Sequence, residues 1–431
     1  MLPTAQATSV NHSHDIEYLM RHFLRVREQS EAICTPLEVE DYGLQAFVDA
    51  SPPKWHIAHT SWFFETFLLK PYLKGYKVFQ PLFAHLFNSY YEQVGSFHAR
   101  PERGLLARPT VVEIYQYRKY VDEHMQELLS RIPEQHERAI RVRTAIGINH
   151  EQQHQELLLT DIKFNYAYSP LKPIYRELQV LQGKPSTLNW IELKEGVYEI
   201  GVSMESTEFA FDNETPGHRI FNQSMRMASR PTTNGEFMLF MQEGGYARPE
   251  FWLSEGWKTV QLQHWQAPLY WEKLDNEWYQ MTLGGMRRVD ESAPVSHVSH
   301  YEADAYARWA GMRLPSEAEW EILARDCEIE GNFVESDYLQ PMPVMVQSAN
   351  TLQQIYGDVW EWTQSPYTPY PGYHAPSGAL GEYNGKFMSS QMVLRGGSCF
   401  TPRDHIRPTY RNFFYPGDRW QCSGFRLAED I

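Results

Sequence analysis

The sequence predicts two unlike parts, an N-terminal four-helix bundle followed by an irregular α+β domain. Residues up to about 170 carry four segments whose apolar positions recur at helical spacing. Beyond Tyr168-Ser169-Pro170-Leu171-Lys172-Pro173 the chain becomes dense in Trp, Tyr, Gly and Pro. Short runs there, such as Gly196-Val197-Tyr198-Glu199-Ile200-Gly201, read as strands between turns. A length of 431 residues also exceeds what one ordinary core organises, so two domains are expected, over 1–175 and 185–431.

The four helical segments are Asp15 to Arg27, Trp55 to Leu69, Val111 to Leu129 and Ile140 to Phe164. Pro109-Thr110 supplies a start signal for the third, and Pro133 interrupts between the third and fourth. The connection over residues 70–108 is too long to be an idle turn, and its aromatics, glycines and arginines suit a functional loop. In the second part, one clear helix runs from His300 to Gly311. A further start follows at Ser316, with Glu319 at the reciprocal capping position.

A formal charge of −15 argues against a nucleic-acid or polybasic membrane-surface partner. No apolar run approaches the roughly 20 residues that span a bilayer, and the N-terminal residues carry neither a basic nor an apolar signal region. Cys34, Cys327, Cys399 and Cys422 are scattered without C-x-x-C spacing, which fits reduced thiols in a cytoplasmic protein.

The chemistry concentrates in His150-Glu151-Gln152-Gln153-His154. Positions i and i+4 of a helix share one face, so its two imidazoles can grip one metal ion. The string also matches the His-Glu-x-x-His pattern of zinc proteases. Their extended pattern needs Gly at 157 and His at 160, where this chain has Leu157 and Thr160. A downstream acid such as Glu177 falls where the bundle ends. Upstream, Trp55-His56-Ile57-Ala58-His59 offers a third imidazole on a facing helix, and spacing does not separate His56 from His59. Three imidazoles suit Zn, Cu, Fe and Ni alike.

With these residues assembled, the chain resembles the ergothioneine-biosynthesis sulfoxide synthases (hercynine oxygenases). In the bundle the resemblance rests on Trp55–His59, Phe87–Glu92, Arg100–Leu106 and His150–Glu156. In the second half it rests on Pro294–Val298, Ala307–Glu321, Gly357–Thr363, Arg395–Ser398, Arg407–Asn412 and Ser423–Leu427. It implies a DinB-like four-helix bundle followed by a C-type-lectin-like domain similar to the formylglycine-generating enzymes. It also implies that His59, His150 and His154 bind Fe(II). The implied reaction joins a thiol, cysteine or γ-glutamylcysteine, to imidazole carbon 2 of hercynine (N-α-trimethylhistidine) using O2, with oxidation of the sulfur. Formylglycine-generating enzymes carry two catalytic cysteines after the Gly-Gly-Ser motif; the corresponding positions here are Thr401 and Ile406.

The resemblance further implies that Gln153 contacts hercynine. Tyr370 and Tyr373, with Asn412, Phe413 and Phe414, offer aromatic faces to a trimethylammonium group. Tyr90 and Tyr91 are the favoured proton donors, with the position near Tyr370 used by some family members as the alternative, and Arg100 and Arg103 the candidate carboxylate clamps. Relatives using γ-glutamylcysteine pair those arginines with an acid after Arg-Asn. This chain reads Arg411-Asn412-Phe413-Phe414 there, which favours free cysteine. Rival expectations are a selenoneine synthase of the same architecture, a DinB-type zinc-dependent hydrolase or thiol transferase, and a non-catalytic binding module.

Overall fold

The computed structural model describes residues 16–181, 183, 187–344 and 351–431. Asp15, residues 1–15 of the stretch read for a signal sequence, and residue 185 lie outside them. The N-terminal region is helical, with four long helices: α1 (Ile16–Cys34), α2 (Pro53–Phe64), α3 (Val111–Ser130) and α4 (Glu137–Tyr168). Each overlaps one expected segment. Helix α1 packs on α4, while α2 packs on both α3 and α4.

Local sequence accounts for their ends. Pro53 opens α2 where a missing N–H costs nothing, and the helix runs on through a π-helical turn at Glu65–Leu69. Thr110 caps α3 as predicted: its hydroxyl accepts from the Glu113 N–H, and the Glu113 carboxylate accepts from the Thr110 N–H. Helix α4 has 32 residues, about 48 Å of continuous rod, and exceeds its expected span at both ends. Gly147 sits in its interior for a packing reason. A Cβ there would lie 2.5 Å from Cε1 of Phe64, so only glycine lets α4 approach α2 this closely, one turn before His150. The long connection carries a short helix at Phe83–Leu86 and a 3-10 turn at Arg100–Leu105.

The second region is built from small sheets. Trp190–Leu193, Met225–Ala228 and Ala428–Asp430 form one antiparallel sheet, and Gly196–Ile200 pairs with His218–Asn222. Trp271–Leu274, Glu277–Thr282 and Gly285–Arg288 make a meander. The central sheet orders Asn412–Phe414, Met392–Arg395, Trp360–Pro366 and Ser423–Gly424, the last parallel to its neighbour. Four helices accompany them: α5 (Asn234–Gln242), α6 (Ser254–Gln263), α7 (His300–Trp309) and α8 (Glu317–Ala324). The sequence reading singled out α7 and α8 and missed α5 and α6. Helix α5 carries the same capping box, Thr233 with Glu236, that marked α8. Helix α6 starts at Leu253 with no side-chain cap, so it sends no start signal.

Candidate metal centre

His59 of α2 and His150 and His154 of α4 converge, each offering a ring nitrogen within 4.8 Å of the others. His59 is held flat between Trp55 (centroids 4.5 Å) and Trp62 (5.4 Å), the three residues falling on one helical face at i, i+4 and i+7. Its Nδ1–H donates to the Phe87 carbonyl at 2.6 Å. A carbonyl only accepts, so the His59 Nε2 lone pair faces inward. That nitrogen lies 3.1 Å from His150 Nε2. Two nitrogens bound at about 2.1 Å and at right angles on one ion sit about 3.0 Å apart, so the donor pair fits a shared metal. Burial pushes His150 down to about 3, and burial reinforced by neighbouring imidazoles holds His59 and His154 well below the usual histidine range. All three are neutral donors, as metal ligation requires. His59 and His150 are buried and His154 is partly exposed.

Because 3.6 residues make a turn, the residues between the two α4 histidines face different neighbours. Glu151 points away from the trio, towards α1 and α3. Its Oε1 accepts from Arg118 Nη2 and Ser30 Oγ, both at 2.7 Å, and its Oε2 from Arg27 Nη1 at 2.8 Å. Burial raises its pKa, but Arg118 and Arg27 bring it down to about 2. A general base must reach a metal-bound water. This carboxylate is consumed by two guanidinium groups, so the zinc-protease reading of the motif fails.

The next face of α4 meets the second region. Asn149 pairs with His405 at 3.0 Å, and Gln152 donates to Asp404 at 2.6 Å. Gln153 donates to the Tyr410 hydroxyl at 2.6 Å and accepts from the Tyr383 hydroxyl. Glu156 accepts from Trp360 Nε1 (2.6 Å), Ser398 Oγ (2.7 Å) and Thr401 Oγ1 (2.7 Å). Thr401, the counterpart of a formylglycine-forming cysteine, is therefore covered by α4, and Ile406 is buried.

The other sequence candidates distribute unevenly. Arg103 is buried with its guanidinium 3.4 Å from the Trp55 ring centroid, on the edge of the trio's aromatic wall. Its Nη1 donates to Ser51 Oγ at 2.8 Å, while Nε and Nη2 have no partner. Arg100 is exposed. Tyr91 is buried against Trp62 (5.6 Å), one ring removed from His59, and Tyr90 stacks on it at 4.6 Å. Phe413 reaches Tyr90 through Phe387. Asn412 accepts from the Phe413 N–H through its own side chain, and Phe414 packs on Trp420 instead of the trio.

Tyr370 and Tyr373, expected as cation-facing residues, make contacts within the second region. The Tyr370 hydroxyl meets Arg395 at 3.1 Å and the Arg411 guanidinium lies 4.1 Å from its ring centroid, inside the buried Glu317–Arg395–Arg411 network. Tyr373 donates to Asp212 at 2.8 Å and props the segment carrying Tyr383 through Asn384. Sequence reasoning missed Tyr383 itself. Its ring is 5.7 Å from His150 and stacks on Phe211 at 5.3 Å. It lies in irregular chain without periodicity, so only the fold reveals it.

Comparison with known proteins agrees with this arrangement. Residues 179–356 and 329–431 match the family described as sulfatase-modifying factor enzyme 1-like domain. A hercynine oxygenase of Mycolicibacterium smegmatis is 32% identical over 67% of this chain and 72% of its own. One of Mycobacterium tuberculosis is 29% identical over 96% of this chain and 99% of its own. A formylglycine-generating enzyme of Streptomyces coelicolor is 28% identical over 57% of this chain and 90% of its own, a match that leaves much of this chain uncovered. The likeness to the oxygenases takes in both the helical region and the sheets, and the chain belongs to the hercynine oxygenase family.

Proposed function

We propose that this chain is a non-haem Fe(II) sulfoxide synthase that joins cysteine to imidazole carbon 2 of hercynine in ergothioneine biosynthesis. The supporting observation is the trio of neutral imidazoles in a chain that aligns with hercynine oxygenases over almost its whole length. The reaction balances as thiol S–H plus imidazole C–H plus O2, giving a C–S bond, one oxygen on sulfur and one in water. In this reading residues 1–175 form a DinB-like four-helix bundle that supplies His59, His150 and His154. Residues 185–431 form the formylglycine-generating-enzyme-like domain that covers them. Four cysteines without disulfide partners support a reducing, cytoplasmic setting.

Fe(II) bound by the three histidines would activate dioxygen and acidify a coordinated thiol. The chain's own residues do the rest. Arg103 offers two unpartnered buried N–H donors beside Trp55, a bidentate seat for the carboxylate of the thiol substrate. Arg100, exposed on the same turn, adds charge at the approach. Gln153, held by Tyr383 and Tyr410, is the residue assigned to hercynine, and Phe413 packs on Phe387 in the aromatic wall that continues to Tyr90. Three phenols are candidate donors: Tyr383 beside His150, Tyr91 against Trp62, and Tyr90 stacked on Tyr91. Burial raises each above the ordinary tyrosine value, so each keeps its proton at neutral pH and could donate it in the reaction.

The test is mass spectrometry of products from anaerobically iron-loaded protein given hercynine, cysteine and γ-glutamylcysteine together in air. The expected product is the cysteine sulfoxide conjugate, with one O2 consumed per conjugate. Arg103→Ala is expected to raise KM for cysteine at least tenfold. Full activity with zinc and no oxygen uptake would overturn the proposal, and turnover of a selenosugar in preference to cysteine would reassign the donor.

A further inference from the structure

Behind the trio lies a hydrogen-bonded chain that the reaction itself does not use. His154 Nδ1 is 2.8 Å from His56 Nδ1, and His56 Nε2 is 3.0 Å from Asp161 Oδ2. The Ser51 N–H donates to the same carboxylate oxygen at 2.8 Å. His56 and Asp161 are both almost fully buried. Asp161 stands seven residues beyond His154 on α4, and His56 three before His59 on α2, so each supporting group shares a face with a ligand of its own helix, and His56 reaches across to back His154.

With His56 neutral and the Asp161 carboxylate accepting, the chain has one consistent proton arrangement. An ionised carboxylate accepts only, so His56 carries its proton on Nε2. Its Nδ1 is then an acceptor, and the nitrogen it faces, His154 Nδ1, must be the donor. That leaves the lone pair of His154 on Nε2. We propose that His56 and Asp161 are positioning residues that lock His154 into the Nε2-ligating tautomer and orient its ring for the metal. The proposal rests on the reading that the trio binds a metal. It also resolves the choice the sequence left open between the two α2 histidines. His59 turns its free nitrogen to the shared space, whereas both His56 nitrogens are occupied behind it. The chain continues to the substrate side, because Ser51 Oγ accepts from Arg103. A ligand on Arg103 and a metal on His154 thus lean on the same scaffold.

Two measurements on the full-length protein test it. Cobalt(II) is titrated against a chromophoric chelator into metal-free wild type, His56→Phe and His150→Ala. His56→Phe keeps a flat buried ring but removes the acceptor. It is expected to bind cobalt 10- to 100-fold more weakly than wild type, with shifted d–d bands. Wild-type affinity and spectrum in a folded His56→Phe would overturn the proposal. Wild type binding no tighter than His150→Ala would instead overturn the metal reading beneath it. Should His56→Phe fail to fold, 15N histidine spectra of metal-free wild type decide: His56 protonated on Nε2 alone supports the proposal, and any proton on His56 Nδ1 overturns it.

Discussion

Glu151 sits between two metal-facing histidines yet serves the fold, and that division makes a residue-scale prediction. Removing one partner of a buried ion pair leaves the others uncompensated. Glu151→Ala should therefore cost about 3–5 kcal/mol of stability in urea denaturation, while the folded fraction still binds metal at the trio. Loss of metal binding at unchanged stability would contradict this. Asp358 makes a second prediction. Burial pushes its carboxyl up to about 6 from the ordinary 3.8, against hydrogen bonds from Asn332, the Met342 N–H and Gln354. The folded protein keeps a proton that the unfolded chain has released. This contribution is complete below about pH 4 and lost as pH rises through 6, a change of about 3 kcal/mol. The unfolding free energy of wild type should fall by roughly that amount relative to Asp358→Asn between pH 4 and 7; a constant difference would contradict it. What the sequence made legible at this scale was the imidazole spacing on α4 and the two candidate histidines of Trp55–His59. Tyr383 was illegible because no periodicity marks its segment. The contacts of Tyr370 were illegible because an aromatic ring near a family motif looks the same whether it faces a ligand or an arginine network.

At the scale of elements, α4 divides its successive residues among three neighbours: α2 with the trio, α1 with α3, and the second region. The divided helix demands close approach to α2, which Gly147 permits. Alanine there would gain about 1 kcal/mol of helix propensity. Its Cβ would press into the Phe64 ring, a clash worth about 1–3 kcal/mol. Gly147→Ala should be net destabilising and weaken metal binding by moving His150; a more stable variant with unchanged affinity would refute the packing argument. The long helices were readable because their apolar periodicity persists over many turns, and Thr110 and Ser316 announce the starts of α3 and the short α8. Helix α6 was not, since Leu253 gives no cap and a ten-residue helix offers few turns to read.

Over the whole molecule, the polar face of α4 joins the helical region to the sheets. Glu156 is its most demanding contact, a half-buried carboxylate answering an indole and two hydroxyls. Glu156→Gln keeps an acceptor and should cost little, whereas Glu156→Ala strands three donors and should cost about 2–4 kcal/mol. Limited proteolysis should then cut between the two regions first. Equal stability of both variants would show that the interface is held elsewhere. This interface was outside the reach of sequence reasoning, because pairs such as Glu156 with Thr401 lie 245 residues apart and only the folded chain brings them together.

Anomalous diffraction at the iron edge, from crystals grown and loaded without oxygen, tests the central claim most directly. The account predicts one iron peak bonded to ring nitrogens of His59, His150 and His154 at about 2.1 Å, with His56 outside bonding distance. A peak elsewhere, or one that includes His56 or Glu151 among its ligands, would contradict it.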